Sequence, residues 1–593
     1  MTVHQFALRV SFVPLETSAP KFFGFAEFLA GLALMVLAWT IADVRYRFRI
    51  RSAPLPLQGL TFAIVATVGV LTLLTDLWRA QSWLVPKIGF VTPALWQALL
   101  AGLYLFTFLV WVTFAFIKPA NFSKWNAKRY AETLFGVIVK GSPTELAVVA
   151  DELRHSAKAL VLYATGGAEY PPFLRNPARK EKAPSKVEAC ANDILSLIAD
   201  RRFCRAIVES SPSTAWAFFD VMGEQRKYGI QIQTFANNIV REALENRSSF
   251  LYHETAGYES GLIGNVKPMC QAIFSNYEMV EAIGTILDTD FRSRSKWASD
   301  QWEAYCRVVL MTLRGYVERA SASHSYVISR ALHNIGNSLI DLYKLNGVEN
   351  SNWNDDLLAR LRVVVDFIKE AVGILEKKGT PADLRRRSKG RTLYQPKSIY
   401  DQIASLTFEV FFSASAVTSP RDQCWWVQHN ALWCELFSFG NLDGRAGNAV
   451  KSRVCRLLYN DVLEMNRFPN FKGARILGFC LNVMGLQRSK EDCYKDSRAL
   501  HKAILLWTKK NFARLHDYDP RVTEACLVDG TTYDSANHRI VRKYLRGPGQ
   551  IEDHCVYLDV VPQPTAAENK SQATTAPTRV IAAKGPRRRR RPK

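Results

Sequence analysis

Three long apolar runs fall within the first 120 residues, and no comparable run follows them. The first, Phe22 to Ala42, reads FFGFAEFLAGLALMVLAWTIA and holds one acid, Glu27, near its start. The second runs from Gly59 to Trp78. The third, Ala94 to Ile117, has 24 residues and no charge. About 20 apolar residues in a helix cross the ~30 Å hydrocarbon core of a bilayer. The pattern therefore predicts transmembrane helices at 22–42, 59–78 and 94–117. A cleaved signal peptide fits the first run poorly, because the run is long and further spans follow it.

Flanking charge orients the three runs. Arg45, Arg47, Arg49 and Arg51 follow the first, only Arg79 and Lys87 separate the second from the third, and Lys118, Lys124, Lys128 and Arg129 follow the third. Basic residues in short loops stay on the cytoplasmic side, and two spans separate the two basic flanks, so both belong there. Residues 1–21 are expected as a short exterior N-terminus, although Arg9 and Lys21 run against the rule. Everything from residue 118 onward is expected in the cytoplasm. The expected location is a multi-pass protein of a bacterial inner membrane.

After residue 117 the pattern changes to the helical period. Residues 118–140 interleave Phe122, Trp125, Tyr130 and Leu134 with Lys124, Lys128 and Arg129, a basic amphipathic helix beside the membrane. It would lie on anionic headgroups or pack as a stalk against the domain. Capping boxes at Ser142–Glu145 and Ser185–Glu188 open further helices, and 141–561 reads as one α-helical domain. A Pro-rich linker lies near 170–186 and a basic loop, LRRRSKGR, near 384–391. Strands are expected only at Cys555 to Val561. The predicted fold class is all-α: three N-terminal transmembrane helices followed by a large, predominantly α-helical cytosolic domain.

Composition adds a partner class. The net charge is +23, and residues 562–593 hold nine Lys/Arg against one Glu, a net of +8. This tail, ending in Arg587, Arg588, Arg589, Arg590 and Arg591, is expected to be disordered and polybasic. Membrane lipid is the expected contact for it and for Arg45, Arg47, Arg49, Arg51, Lys124, Lys128 and Arg129; nucleic acid is an alternative for the tail. All eleven cysteines follow residue 118 without a CxxC pair, which suits a reducing compartment.

Motif searches predict no catalytic, cofactor or metal residues. There is no HExxH, no phosphate-cradling loop and no GxSxG elbow. His253, Glu254 and Glu259 form the densest titratable cluster within a Gly-containing loop, and Trp425, Trp426 and Trp433 form a stripe that reads as core. In the second run Thr61, Thr72, Thr75 and Asp76 fall within about 100° of one another on a helix. Such a face serves helix packing or, in an oligomer, a pore. With a large domain on one side and little mass on the other, the first expectation is an interaction or sensing protein with protein partners or self-association. An oligomeric channel or membrane-perturbing effector is the alternative, and a membrane-anchored enzyme without a visible motif is the second.

Overall fold

Helix signals in this chain are mostly local, and the computed structural model realises them. It describes residues 5–6, 10–14, 21–41, 43–87, 92–165, 184–254, 268–288, 294–319, 324–348, 355–377, 398–437, 442–488, 492–544 and 554–561. The chain is predominantly helical and divides into two compact units, 1–334 and 335–593.

In the first unit, helix α1 spans Phe25–Ile41, α2 Val44–Ser52, α3 Leu57–Ala80 and α4 Pro93–Val112, the last continuing as a π-helical turn over Thr113–Ile117. Among the described residues only two helices, Leu57–Ala80 and Pro93–Ile117, are long and apolar enough to cross a membrane. Two of the three expected spans thus form helices of that length. The first apolar run yields a 17-residue helix, about 26 Å at 1.5 Å per residue. Its start is delayed because the chain before Phe25 is held by side chains: the Phe25 amide donates to Asp76 Oδ2 at 2.9 Å and the Gly24 amide to Glu27 Oε2 at 2.9 Å. Phe28, Met35, Val65, Val68 and Leu100 form a buried cluster shared by α1, α3 and α4.

Both capping boxes form as read. Ser142 caps α6 (Pro143–Leu153), α7 follows over Ala157–Tyr163, and Ser185 caps α8 (Lys186–Leu197); in both boxes the glutamate bonds back to the cap amide. Between α4 and α6, helix α5 (Ala127–Lys140) buries Tyr130, Leu134 and Ile138 while Trp125, Phe135 and Val139 stay exposed. Helix α5 packs on α8, α2 and α6, and α6 packs on the Arg201–Ser210 helix.

The second unit is built from the Asp356–Lys377, Ile399–Ser415, Arg445–Glu464, Phe471–Met484 and Arg498–Tyr518 helices, with Ile403, Phe411, Val454, Leu458, Leu477 and Ile504 in its core. It ends in an antiparallel sheet, β4 (Thr531–Asp534), β5 (Arg539–Tyr544) and β6 (His554–Asp559), in that order. The expectation of no strand before residue 555 is thereby corrected. The hairpin turn is closed by Asp534 Oδ1 accepting from the Asn537 amide at 3.1 Å, with His538 at φ +47°. An aspartate side chain that closes a turn in this way brings two strands together without an Asn-Gly signal. A second correction lies at the start of the chain, where β1 (Gln5–Phe6), β2 (Val10–Pro14) and β3 (Leu84–Lys87) pair as a small antiparallel sheet. Residues 166–183, covering most of the expected linker, the 384–391 loop and the 562–593 tail with Arg587 to Arg591 lie outside the described residues.

Candidate functional site

The four arginines of α2 alternate along the chain, RYRFRIR, at spacings of two. On a helix each step of two turns about 200°, so Arg45 and Arg49 share one face while Arg47 and Arg51 share the opposite one. The two faces meet different environments.

Arg45 and Arg49 face α6. Arg49 grips Glu152 with Nε to Oε2 at 2.9 Å and Nη2 to Oε1 at 2.7 Å, a two-point pairing, and Nη1 donates to the Phe116 carbonyl at 3.0 Å. Arg45 reaches Asp151 Oδ2 at 2.9 Å and Glu152 Oε1 at 3.5 Å. The Glu152 side chain is 1% exposed. Its hydrogen bond to Arg49 raises the guanidinium pKa above an already high value, so Arg49 stays charged. The Arg49–Glu152 pair thus joins α2, α6 and the π-helical end of α4. The C-terminal carbonyls of α2 are covered as well: Asn126 Nδ2 donates to Ser52 O at 2.6 Å, and Arg129 donates to Ala53 O at 3.1 Å and Pro54 O at 2.9 Å. Uncapped helix ends leave such carbonyls without partners. Arg45, Arg49 and Arg129, expected at lipid headgroups, therefore bond inside the protein.

Arg47 and Arg51 line a pocket of about 360 Å³. Its walls are Trp39 of α1, Ile50 of α2, Gln58, Gly59 and Phe62 of α3, and Trp111 of α4. Trp111 is buried, with its ring centroid 6.4 Å from that of Trp39. Two cations at the edge of an aromatic, apolar wall match an amphiphile with an anionic head. Pockets of a few hundred Å³ with a few convergent polar groups are the usual form of small-ligand sites. Gly59 lines the pocket and has open space around its missing Cβ, with no atom within 4 Å of that position.

The remaining expected residues fall elsewhere. Lys124 Nζ lies 6.0 Å from the Tyr163 ring centroid, and Lys128, with 86% of its side chain exposed, is 3.8 Å from Glu132. Thr72 and Thr75 return their hydroxyls to the carbonyls of Gly69 (2.9 Å) and Leu71 (2.6 Å), and Thr61 is buried. Asp76 holds the start of α1 and pairs with Lys21 Nζ at 2.9 Å. Glu254 accepts from the amides of Met269 (3.1 Å) and Cys270 (2.8 Å), an end-capping role. His253 closes the four-residue Phe250–His253 helix, and Glu259 lies outside the described residues. Asp151 and Glu152 were missed from sequence because they sit in an ordinary amphipathic helix where acids look solvent-facing. The helical phase of RYRFRIR was the available signal that the arginines would divide.

No protein-family model matches this chain, and none of the curated proteins does either. Among solved structures, a crystal structure of an engineered protein is similar over 68% of this chain and 94% of its own, at 14% identity and a TM-score of 0.18. A likeness that low carries no argument about fold or function.

Proposed function

We propose that this chain is an integral membrane protein that presents a helical interaction and sensing domain at the cytoplasmic face and holds an anionic amphiphile in the Arg47/Arg51 pocket. The observation that carries the reading is the division of α2. One arginine pair is consumed by Asp151 and Glu152, while the other borders an aromatic pocket. A phospholipid headgroup or fatty carboxylate would meet the guanidinium groups, and its chain would lie along Ile50, Phe62 and Trp111. Because α2 is also latched to α6 through Glu152, occupancy of one face bears on the position of the other. That is the physical content of sensing here.

In this reading α1 is a third, short pass, packed on α3 and α4 through Phe28 and Met35. Slightly short spans are accommodated by local thinning at modest cost. Arg45–Arg51 and the chain after residue 118 face the cytoplasm, following the excess of basic residues. The exposed stripe of Lys128, Phe135 and Val139 on α5, with Trp125 just before it, suits a helix at the membrane surface. The threonine hydroxyls of α3 bond to their own backbone, which favours helix packing over a water-lined pore.

The test uses the detergent-solubilised full chain, with a short-chain phosphatidylglycerol and the matching phosphatidylcholine, read by native mass spectrometry. The anionic lipid should give retained adducts and the zwitterionic one few. Arg47→Gln with Arg51→Gln, and separately Gly59→Phe, should remove them. Adducts that are equal for the two lipids, or unchanged in both variants, overturn the reading. Orientation is tested apart from this: a cysteine introduced at 81–83 should react with an impermeant reagent from outside, and labelling at 53–55 instead inverts the topology.

A further inference from the structure

The second unit holds a constellation that no sequence motif announced. From Trp426 to Cys434 the helix is π-helical for nine residues. Such segments are rare, and when they occur they frequently mark functional sites. In an α-helix, residues five apart point about 140° away from one another. The wider π turn instead brings His429 and Cys434 together: the Cys434 Sγ lies 3.5 Å from Nδ1 and 3.6 Å from Nε2 of the imidazole. Nδ1 is also 2.9 Å from Asn430 Oδ1. A carboxamide oxygen accepts, so a proton on Nδ1 would be held by Asn430 and would leave Nε2 with the lone pair. The ring is stacked on Trp425 at 3.9 Å between centroids with an interplanar angle of 13°, which fixes its plane. Burial lowers the His429 pKa below its ordinary value, so the ring is a neutral base at pH 7.

The thiol opens onto a pocket of about 450 Å³ between this segment and the Asp356–Lys377 helix. Arg362, Asp366 and Lys369 come from that helix, and Trp426 and Glu435 from the π segment and its continuation. Lys369 Nζ is 2.6 Å from Glu435 and 3.0 Å from Asp366, and the Arg362 guanidinium lies 5.7 Å from the Trp426 ring centroid. A nucleophile, an adjacent base and a group that orients the base are the parts that covalent catalysis requires. The acids pair with Lys369, and Arg362 on its aromatic shelf provides a grip for an anionic or carbonyl group.

We propose that Cys434, with His429 as its base and Asn430 as the positioning residue, is a nucleophilic thiol that accepts acyl groups from thioesters bound in this pocket. In the step, His429 Nε2 takes the thiol proton as Sγ bonds to the acyl carbon. The carbon–sulfur bond to the leaving thiolate breaks, and that thiolate takes the proton back from the imidazolium. The products are an acyl thioester on Cys434 and one free thiol. No oxidant or further reactant is required.

The test uses the full chain in detergent and S-acetyl-N-acetylcysteamine as the acyl donor, with acetylation mapped on each cysteine by mass spectrometry at pH 7. Cys434 should acetylate at least tenfold faster than Cys190, Cys455 and Cys555, the other partly exposed cysteines among the described residues. This comparison lies within one wild-type molecule and needs no variant to fold. His429→Asn should slow Cys434 at least tenfold, and Asn430→Ala severalfold. In the wild type the Cys434 rate should fall as pH drops through the His429 titration, while Asn430→Ala should displace that profile; a merely structural role for Asn430 leaves the profile in place. Cys434 reacting no faster than the other three, or at an unchanged rate in His429→Asn, overturns the proposal.

Discussion

The two faces of α2 carry the same residue type at the same spacing and do opposite things. Arg45 and Arg49 meet carboxylates on α6, one of them buried, while Arg47 and Arg51 border a pocket walled by Trp39, Phe62 and Trp111. The difference teaches that a run of basic residues beside an apolar helix is not one feature. Half of this one is a structural lock, and half borders a pocket.

Breaking the lock should have the largest effect. Glu152→Ala leaves Arg49 held in a site where only 10% of its side chain meets water. Removing one partner of such a pair costs about 3–5 kcal/mol, measurable in denaturant unfolding followed by circular dichroism. Arg47→Ala should stay within about 0.5 kcal/mol of the parent in the same measurement, as surface changes do. Equal costs for Arg47→Ala and Arg49→Ala would erase the distinction between the faces.

A third kind of arginine sharpens it. Arg542 in β5 is 6% exposed, yet it donates to the Asn482 carbonyl at 2.7 Å and to Asn482 Oδ1 at 2.8 Å, and its guanidinium lies 5.1 Å from the ring centroids of both Trp425 and Tyr544. Burial lowers its pKa, whereas the hydrogen bond to Glu152 raises that of Arg49. Arg542→Met should cost about 1–3 kcal/mol, the penalty for stranding buried acceptors. That is less than Glu152→Ala, because no buried charge is left behind.

On the pocket side the effect is on ligand affinity. Each basic residue near an anionic surface contributes about 1 kcal/mol. Arg47→Gln should therefore weaken binding of short-chain phosphatidylglycerol roughly fivefold, and added salt should shrink the difference between parent and variant. Salt should leave the cost of Glu152→Ala nearly unchanged, since buried pairs are poorly screened.

The smallest effect concerns pH. The arginine faces keep their charge through neutrality, but His501 in the second unit has its pKa lowered by burial, with Nε2 2.9 Å from the Gly485 carbonyl. Below the ordinary histidine value of 6.5 the unfolded chain takes up a proton that the folded chain resists. Stability should therefore fall as pH drops from there toward the lowered folded value. His501→Gln should flatten that part of a thermal-melt profile. A slope unchanged by the substitution would assign the acid sensitivity to other groups.

The chain alone determined its helical character, and it did so through local chemistry. The two boxes at Ser142 and Ser185 formed because a hydroxyl and a glutamate three residues on satisfy each other's amides whatever lies beyond. The second and third apolar runs became long helices because their composition is uniform over 20 residues or more. The first run became shorter because its start is tied to Asp76, 51 residues away. The β4–β5 hairpin was hidden because an aspartate turn carries a weaker signal than glycine. Which arginines pair, and with which acids, was decided only by tertiary structure: Arg49 and Glu152 are 103 residues apart, and α6 looks like any surface helix until it packs. The meeting of Cys434 with His429 also lay beyond periodicity, because a five-residue spacing separates side chains in an α-helix and joins them only where the packed core widens the turn.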